Sequence, residues 1–366
     1  MLSGEQNPFL RYREQLDIYQ KVTAGDITDE QFVEIVSKVD EGVAAVWGHG
    51  FRVTPLLDGQ SLAQAAGLEA RVSIKVEANN VGGSHKARHL MGVMIFDQIK
   101  RAIGSEQPER LAIASCGNAA IGAAVIARAL DRPLDVFVPE WADASVVSTL
   151  DELGAHVNRC ERRSGELGDP AYLRFREATS PGAGAAAFGV QNTDTPMTID
   201  GGKTIGFEIA EQAGHVDALY IQVGGGALAT ATAFGVPGAR LYPVQAEGCA
   251  PLNRAWERWG PEFDLDAAQQ LDQTFMTPWD NPTSFATGIL DDITYDWIPL
   301  LHRTYTSGGH PIVAPEVEIK RAYALAHEHT DVNVCSTGTA GFAGLLTEPA
   351  PVNEHVVVLF TGIDRS

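Results

Sequence analysis

Short apolar segments alternate with glycine-rich turns and alanine-rich helical segments along most of this chain. Five apolar runs have the length of buried strands, at residues 111–114, 134–138, 218–223, 241–245 and 356–360. Small or glycine residues follow several of these runs, and segments with helix-forming composition come next, for example at 119–130 and 227–234. Strands that alternate with helices predict βα units, a mainly parallel sheet and ligand sites at the carboxyl ends of the strands.

The first 50 residues have a different pattern. Apolar positions recur at helical spacing among many charges from about residue 7 to residue 40. Gly25 and Asp26 predict a break into two helices, and Thr28 followed by Gln31 has the form of a capping box. We expect this extension to serve packing or dimer formation rather than catalysis.

Composition and charge narrow the classes of function. The chain has 366 residues, 45% of them hydrophobic, which is ample for a folded core. Its net charge of −20 repels phosphate backbones and anionic lipid. We therefore expect no nucleic acid and no membrane partner. The N-terminus has no apolar signal segment, and no apolar run reaches the roughly 20 residues of a membrane span, so a cytoplasmic location is predicted.

The four cysteines, Cys116, Cys160, Cys249 and Cys335, are scattered. They form no pair or His/Cys cluster at the spacing of a zinc site. We expect unpaired thiols in a reducing compartment and no bound metal.

Lys86 lies in a glycine-rich turn, residues 82–88, before an apolar helix expected to start near Leu90. The positive end of the helix dipole disfavours the charged form of an amine at this position, and burial would disfavour it further. An uncharged amine can form an imine with an aldehyde. Taken alone, this pattern is more typical of an ordinary solvated lysine.

Gly224-Gly225-Gly226 follows the apolar run 218–223 and precedes a helix. Glycines allow backbone N–H groups to approach an anion, so this turn is a candidate phosphate site. The turn lacks the Gly-Lys-Ser/Thr of nucleoside triphosphate loops. With Ala229 and Glu247 it does satisfy the looser dinucleotide pattern, so a dinucleotide or a simple tight turn stays an alternative.

Two more turns carry candidate chemistry. Ser115-Cys116-Gly117-Asn118 follows the run 111–114, and its N–H groups and hydroxyl suit a carboxylate, although an N-cap turn explains it equally. Thr361-Gly362 ends the run 356–360. A neutral hydroxyl there can meet a pyridine nitrogen without protonating it.

Taken together, these turns resemble the fold-type II pyridoxal 5'-phosphate (PLP) enzymes, or tryptophan synthase β superfamily. Serine/threonine dehydratases, cysteine synthases and threonine synthases belong to it. The resemblance covers about residues 54–365 and depends on the order of seven segments. They are Thr54-Pro55-Leu56, Lys75-Val76-Glu77, Ser84-His85-Lys86-Ala87-Arg88, Ser115-Cys116-Gly117-Asn118, residues 201–209, Gly224-Gly225-Gly226 and Thr361-Gly362.

The resemblance implies an α/β architecture, a two-lobed three-layer αβα fold with mainly parallel sheets. Residues 1–50 would be an N-terminal helical extension. Residues 51–91 and 192–366 would form the large PLP-binding domain, and 92–191 the small substrate-side lobe. The family also implies a homodimer with PLP as cofactor and an amino acid as substrate.

The resemblance further implies the roles of individual residues. Lys86 would be the catalytic Schiff-base lysine, with His85 beside the cofactor. The phosphate loop would be Gly224, Gly225, Gly226, Ala227 and Leu228. Asn118 would contact the ring oxygen and Thr361 the pyridine nitrogen. The loop on the substrate carboxylate would be Ser115, Cys116, Gly117, Asn118 and Ala119.

Two positions depart from the pattern of some members. His85 occupies the place where dehydratases usually carry Phe and tryptophan synthase β chains carry His, and it would either stack near the phosphate or pack. No carboxylate follows Cys335 where tryptophan synthase has a glutamate, which argues against an indole synthase.

The expected reaction is α,β-elimination from a β-substituted, in particular β-hydroxy, amino acid, which gives a 2-oxo acid and ammonia. One alternative is β- or γ-replacement, as in cysteine synthase or threonine synthase. The γ-reaction would need a second phosphate site, for which Arg254 and Arg303 are candidates. The other alternative is a binding protein that holds a dinucleotide without catalysis.

Overall fold

A computed structural model describes residues 4–166, 168–195, 197–260, 264–270 and 272–365. The chain divides into two compact units, residues 1–53 with 80–201, and residues 54–79 with 202–366. The first unit includes the N-terminal extension and also residues 51–53, 80–91 and 192–201, which the sequence assigned to the large domain. Helix Lys86–Ala102 runs unbroken through the expected boundary at residue 91, so residues 86–91 stay with the first unit. Which unit binds the cofactor and which the substrate stays a prediction.

The helices and strands are numbered in chain order. The α-helices are α1 (Pro8–Arg11), α2 (Asp17–Thr23), α3 (Asp29–Trp47), α4 (Gln60–Ala66), α5 (Lys86–Ala102), α6 (Asn118–Ala129), α7 (Ala144–Glu152), α8 (Pro170–Ala178), α9 (Thr198–Ala213), α10 (Ala227–Gly235), α11 (Pro251–Trp259), α12 (Leu265–Gln270), α13 (Asp272–Phe275), α14 (Trp297–Thr306), α15 (Glu316–His329) and α16 (Ser336–Thr347). The strands are β1 (Leu56–Asp58), β2 (Arg71–Val76), β3 (Arg110–Ala114), β4 (Leu134–Pro139), β5 (His156–Cys160), β6 (Ala185–Ala187), β7 (Ala218–Gln222), β8 (Arg240–Ala246), β9 (Ile312–Ala314) and β10 (His355–Phe360). Short 3-10 helices occur at Arg13–Gln15, Val81–Gly83 and Thr287–Ile289.

Each unit contains one sheet. In the first unit the strand order is β5-β4-β3-β6, and all neighbours are parallel. In the second the order is β1-β2-β10-β7-β8-β9, parallel except for the pair β1–β2. The expectation of an α/β fold with mainly parallel sheets is confirmed.

Both faces of the second sheet are buried, and this explains its continuous apolar strands. Along β10, Val356, Val358 and Phe360 pack into one core cluster, whereas Val357 and Leu359 pack into another on the opposite face. The strands that the sequence pattern missed lack such runs. β6 is three alanines, and β5 reads His-Val-Asn-Arg-Cys and is only partly buried.

The order of strands locates a switch point in each sheet. After β7, the chain adds β8 and β9 on one side and then returns to place β10 on the other side of β7. The loops after β7 and β10 therefore diverge and leave a crevice at the carboxyl edge, where open α/β sheets bind ligands. In the first sheet, the loops after β3 and β6 diverge in the same way.

The N-terminal extension is helical, as expected, and its capping box is present: Thr28 accepts from Gln31 N, and Gln31 accepts from Thr28 N. It is also held by a contact that the sequence did not indicate. The carboxylate of Asp200, in the first turn of α9, accepts hydrogen bonds from Asp17 N and Ile18 N, both 2.9 Å long. Asp200 thus caps α2 from 182 residues away in the chain.

The described residues contain neither a membrane-spanning helix nor a metal-binding cluster. Among those residues no helix is both long enough and apolar enough to cross a membrane. No three His, Cys, Asp or Glu side chains of the same residues come together as a metal site.

Candidate active site

Lys86 is the first residue of α5, four positions before the start expected from the sequence. A turn with positive φ at Gly82 (69°) and Gly83 (72°) leads into it, and the Lys86 N–H donates to Ser84 Oγ at 3.3 Å. A Cβ added to Gly82 would stand 3.1 Å from Gly122 Cα in α6. Glycine at 82 is therefore required both by its φ and by the close approach of α6.

A second close approach fixes α5 against α9. A Cβ on Gly92 would stand 2.7 Å from Gly201 Cα, and one on Gly201 would stand 2.3 Å from the Arg88 carbonyl oxygen. Backbones that approach so closely leave no room for side chains, so the orientation of α5 is tightly determined. The same packing holds the backbone of Lys86 in place.

The loop from Ser115 to Ala119 lies at the switch point of the first sheet. Ser115 N donates to Phe137 O at 3.2 Å, and α6 then begins at Asn118 without a side-chain cap on its first N–H groups. A Cβ on Gly117 would meet no atom within 4 Å, so the loop faces open space. Burial raises the pKa of the Cys116 thiol, which keeps it uncharged. The loop suits a carboxylate ligand.

The Gly224-Gly225-Gly226 turn lies at the switch point of the second sheet, between β7 and α10. Gly226 has φ +100°. No side chain caps α10, which leaves the N–H groups of Ala227 and Leu228 without a side-chain acceptor. In the next turn, the buried hydroxyl of Thr230 has no hydrogen-bond partner among the described residues. Uncapped N–H groups and an unsatisfied hydroxyl fit a phosphate group here.

The same glycines are also required by packing, which the sequence did not reveal. A Cβ on Gly224 would stand 2.2 Å from Asp291 Oδ2, and one on Gly225 would stand 3.2 Å from the Tyr295 ring. Gly225 O accepts from Asp296 N at 2.9 Å. The segment that precedes α14 therefore lies directly against the turn and holds its shape.

Thr361 ends β10 on the other side of the same switch point, with 1% of its surface exposed. Gln222 Nε2, at the end of β7, donates to Thr361 Oγ1 at 2.7 Å and to Gly338 O at 3.0 Å. The Gly338 carbonyl can only accept, so it identifies the Gln222 atom as the amide nitrogen. The Thr361 oxygen accepts from Gln222, and its own proton is directed elsewhere.

Gln222 is a functional candidate that the sequence reading missed. The available signal was an amide side chain at the end of an apolar strand, two residues before the glycine turn.

Glu247, the acidic residue of the dinucleotide alternative, has a structural contact. Its Oε1 accepts from Glu316 N at 2.8 Å, at the start of α15. This contact explains an acid at the end of β8 without a ribose.

His89 is a second residue that the sequence reading missed. It lies three positions after Lys86, with 1% of its surface exposed, and Nδ1 is 2.9 Å from Thr198 O. Burial, with a further contribution from the charge of Lys86, lowers the pKa of His89 to about 3. The His85 ring packs edge-to-face on His89 at 5.7 Å, which shows packing at His85 and leaves its role toward a cofactor a prediction.

The lowered pKa of His89 predicts a loss of stability in acid. As pH falls below 6.5, the unfolded chain takes up the proton before the folded chain does, so the folded state loses up to about 1.4 kcal/mol per pH unit until pH approaches 3. His89→Asn retains a donor for Thr198 O but does not titrate. Its free energy of unfolding, measured in urea, should fall less steeply between pH 6 and 4. Burial also lowers the pKa of His355, but this residue is present in both proteins and adds the same pH dependence to each. Equal slopes in the two proteins would therefore contradict the prediction.

The predicted residues thus fall into two groups. His85, Lys86 and the loop from Ser115 to Ala119 belong to the first unit, whereas Gly224 to Leu228 and Thr361 belong to the second. Within each unit they lie at helix starts or at carboxyl ends of strands, as the sequence predicted.

Comparison with known proteins shows which enzymes this chain is similar to. An L-threonine ammonia-lyase from Thermotoga maritima is 29% identical over 320 residues, 84% of this chain and 70% of that protein. A phenylserine dehydratase from Ralstonia pickettii is 28% identical over 232 residues, 62% of this chain and 66% of that protein. The chain spans about half to two thirds of the length of the first curated relatives it matches.

Solved structures share the fold. The processed form of threonine deaminase isoform 2 from Solanum lycopersicum superposes with a TM-score of 0.68 at 18% identity, over 93% of this chain and 86% of that one. Residues 49–362 match the family described as pyridoxal-phosphate dependent enzymes. This chain therefore belongs to the pyridoxal-phosphate dependent enzymes of fold type II, and its cofactor is PLP.

Proposed function

We propose that this chain catalyses α,β-elimination from a β-hydroxy amino acid and releases a 2-oxo acid and ammonia. The observation that carries the proposal is the Gln222–Thr361 pair, which provides a neutral hydroxyl at the switch point beside the glycine turn. When bound, PLP supplies an electron sink for the α-carbon, and a pyridine nitrogen that meets a hydroxyl instead of a carboxylate stays unprotonated. A weaker sink favours prompt loss of a β-substituent.

Three parts of the chain would have separate roles in the reaction. Lys86 would hold the cofactor covalently, and its amine, once released, would accept the α-proton. N–H groups from Ser115 to Ala119 would hold the substrate carboxylate, and those from Gly224 to Leu228 the cofactor phosphate. The α C–H and β C–O bonds break, and water leaves. One water then returns in hydrolysis, so the net products are the 2-oxo acid and ammonia.

The names of the relatives support elimination. One is a dehydratase of phenylserine and another an ammonia-lyase of threonine. Both substrates carry a β-hydroxyl and differ in the other group on the β-carbon, a phenyl or a methyl. The names therefore support a β-hydroxy amino acid but no particular side chain. The predicted homodimer and the functional division into lobes stay proposals here.

The γ-replacement alternative has less support. Arg303 donates to three backbone carbonyls, those of Val236, Pro237 and Ala239, at 2.9–3.1 Å. Arg254 donates to Thr277 O and Pro278 O and lies over the Trp279 ring at 4.9 Å. Both guanidinium groups donate through Nη2 to backbone carbonyls, and this structural contact accounts for each arginine without a second phosphate.

The test is the product balance of the purified holoenzyme. With serine, threonine or 3-phenylserine, we expect ammonia and 2-oxo acid in equal amounts, measured by coupled assays. O-acetylserine with sulfide tests β-replacement, and O-phosphohomoserine tests γ-replacement. Formation of cysteine or threonine, with no ammonia from any β-hydroxy amino acid, would refute elimination in favour of replacement.

A further inference from the structure

Trp141 is the most exposed large apolar side chain among the residues that the structure describes, with 79% of its surface exposed. An exposed indole combines a large apolar surface with an N–H donor, and such side chains are enriched where proteins contact other molecules. Trp141 lies in the loop between β4 and α7, at the carboxyl edge of the first sheet. That edge is where the sheet would bind a ligand.

The loop that carries Trp141 borders the loop proposed for the substrate carboxylate. β3 and β4 are parallel neighbours, with Ala114 opposite Phe137. The hydrogen bond from Ser115 N to Phe137 O continues this pairing into the carboxylate loop. Adjacent parallel strands lie about 4.8 Å apart, so the two loops leave the sheet side by side.

The backbone on both sides of Trp141 is held in place. Ala142 N donates to Pro139 O at 3.1 Å, and Arg159 Nη1 donates to Glu140 O at 2.8 Å. Asp143 accepts from Ser145 N at 2.7 Å and so caps α7. A ligand can meet the indole here without first ordering the loop, which lowers the entropic cost of binding.

Charge next to Trp141 limits the kind of substrate. Glu140 and Asp143 flank it, and both are exposed. Hydrogen bonds from the Ser145 side chain and backbone lower the pKa of Asp143, so it stays ionised. Within the described part of the chain, these two carboxylates outnumber the one cation that contacts the loop, Arg159, which donates to the Glu140 carbonyl. The net negative charge beside the indole repels a second carboxylate on the substrate. They do not oppose an uncharged ring or alkyl group.

We infer that Trp141 is a specificity-determining residue that contacts the ring or alkyl group on the β-carbon of the substrate, and not the leaving hydroxyl. It selects uncharged aromatic or apolar β-hydroxy amino acids. This inference rests on the proposed function, because it takes the Ser115–Ala119 loop as the site of the substrate carboxylate. With the carboxylate there, the group on the β-carbon would be directed toward the neighbouring loop.

Binding of unreactive amino acids to the holoenzyme tests the inference. Phenylalanine and alanine carry no β-leaving group, so their dissociation constants can be measured by calorimetry without elimination. We expect phenylalanine to bind more tightly than alanine, and aspartate more weakly than either. Trp141→Ala should weaken phenylalanine binding roughly 10-fold and change alanine binding by less than about twofold. Trp141→Phe should retain most of the selectivity.

Ile103→Ala is the matched control, since Ile103 is an exposed apolar residue of the same unit that follows α5, and it should change neither constant. Equal weakening of both ligands by Trp141→Ala, or no weakening, would overturn the inference. A change in oligomeric state with unchanged selectivity would instead make Trp141 a subunit contact and also overturn it. Loss of elimination with intact phenylalanine selectivity would refute only the proposed function.

Discussion

Lys86→Ala is expected to lower kcat/KM for the elimination reaction by at least about 1,000-fold, because it removes both the covalent attachment of PLP and the amine that accepts the α-proton. The fold should persist, since the Lys86 side chain is only partly buried and α5 is held by the close approaches at Gly82 and Gly92. Steady-state kinetics measures the loss. Borohydride reduction followed by peptide mapping should label Lys86 in the unaltered protein and leave the variant unlabelled.

Lys100→Ala is the control for this result. Lys100 lies near the other end of the same helix and contacts the Phe96 ring at 4.6 Å. Its loss should leave both kcat/KM and the label unchanged. A pyridoxyl label on a lysine other than Lys86, or full activity in Lys86→Ala, would end the assignment of the site.

The second large effect is expected at the glycine turn. Gly224→Ala places a Cβ against Asp291 Oδ2, and also 3.1 Å from the backbone of Ile289. The turn must shift, which we expect to cost about 1–3 kcal/mol of stability and to weaken PLP binding at least about 10-fold. Urea unfolding of the apoprotein and titration with PLP measure the two effects separately.

Two variants make this prediction specific. Gly238→Ala is the control, because a Cβ there meets no atom within 4 Å, and its stability should stay within about 0.5 kcal/mol of the unaltered protein. In an Asp291→Ala background, the cost of Gly224→Ala should shrink by about 0.5 kcal/mol or more, since the contacting carboxylate is gone. A Gly224→Ala protein as stable as the unaltered one would show that the turn tolerates a side chain.

Much of the fold and the site could be read directly from the chain. The strands of the second sheet are buried on both faces, so their sequences are continuous apolar runs that stand out. The glycine turn, the Lys86 turn and Thr361 could be predicted because each stands next to such a run or to a helix start, which is local information. Their order along the chain then indicated the family.

Short strands were not predictable in the same way. β6 and β9 have three residues each, and partly exposed β5 contains little apolar sequence. Such segments become strands because a neighbouring strand offers hydrogen bonds, and that neighbour is set by the sheet and not by local propensity.

The sequence alone indicated which residues are candidates for the chemistry: an amine at a helix start, two turns whose N–H groups no side chain caps, and a hydroxyl at a strand end. Only the tertiary structure decided how they are supported. Gln222 and Thr361 are 139 residues apart, and Ile18 and Asp200 are 182 apart. Such partners meet only when the sheets and helices assemble, because a hydrogen bond between distant residues leaves no periodic signal in either local segment.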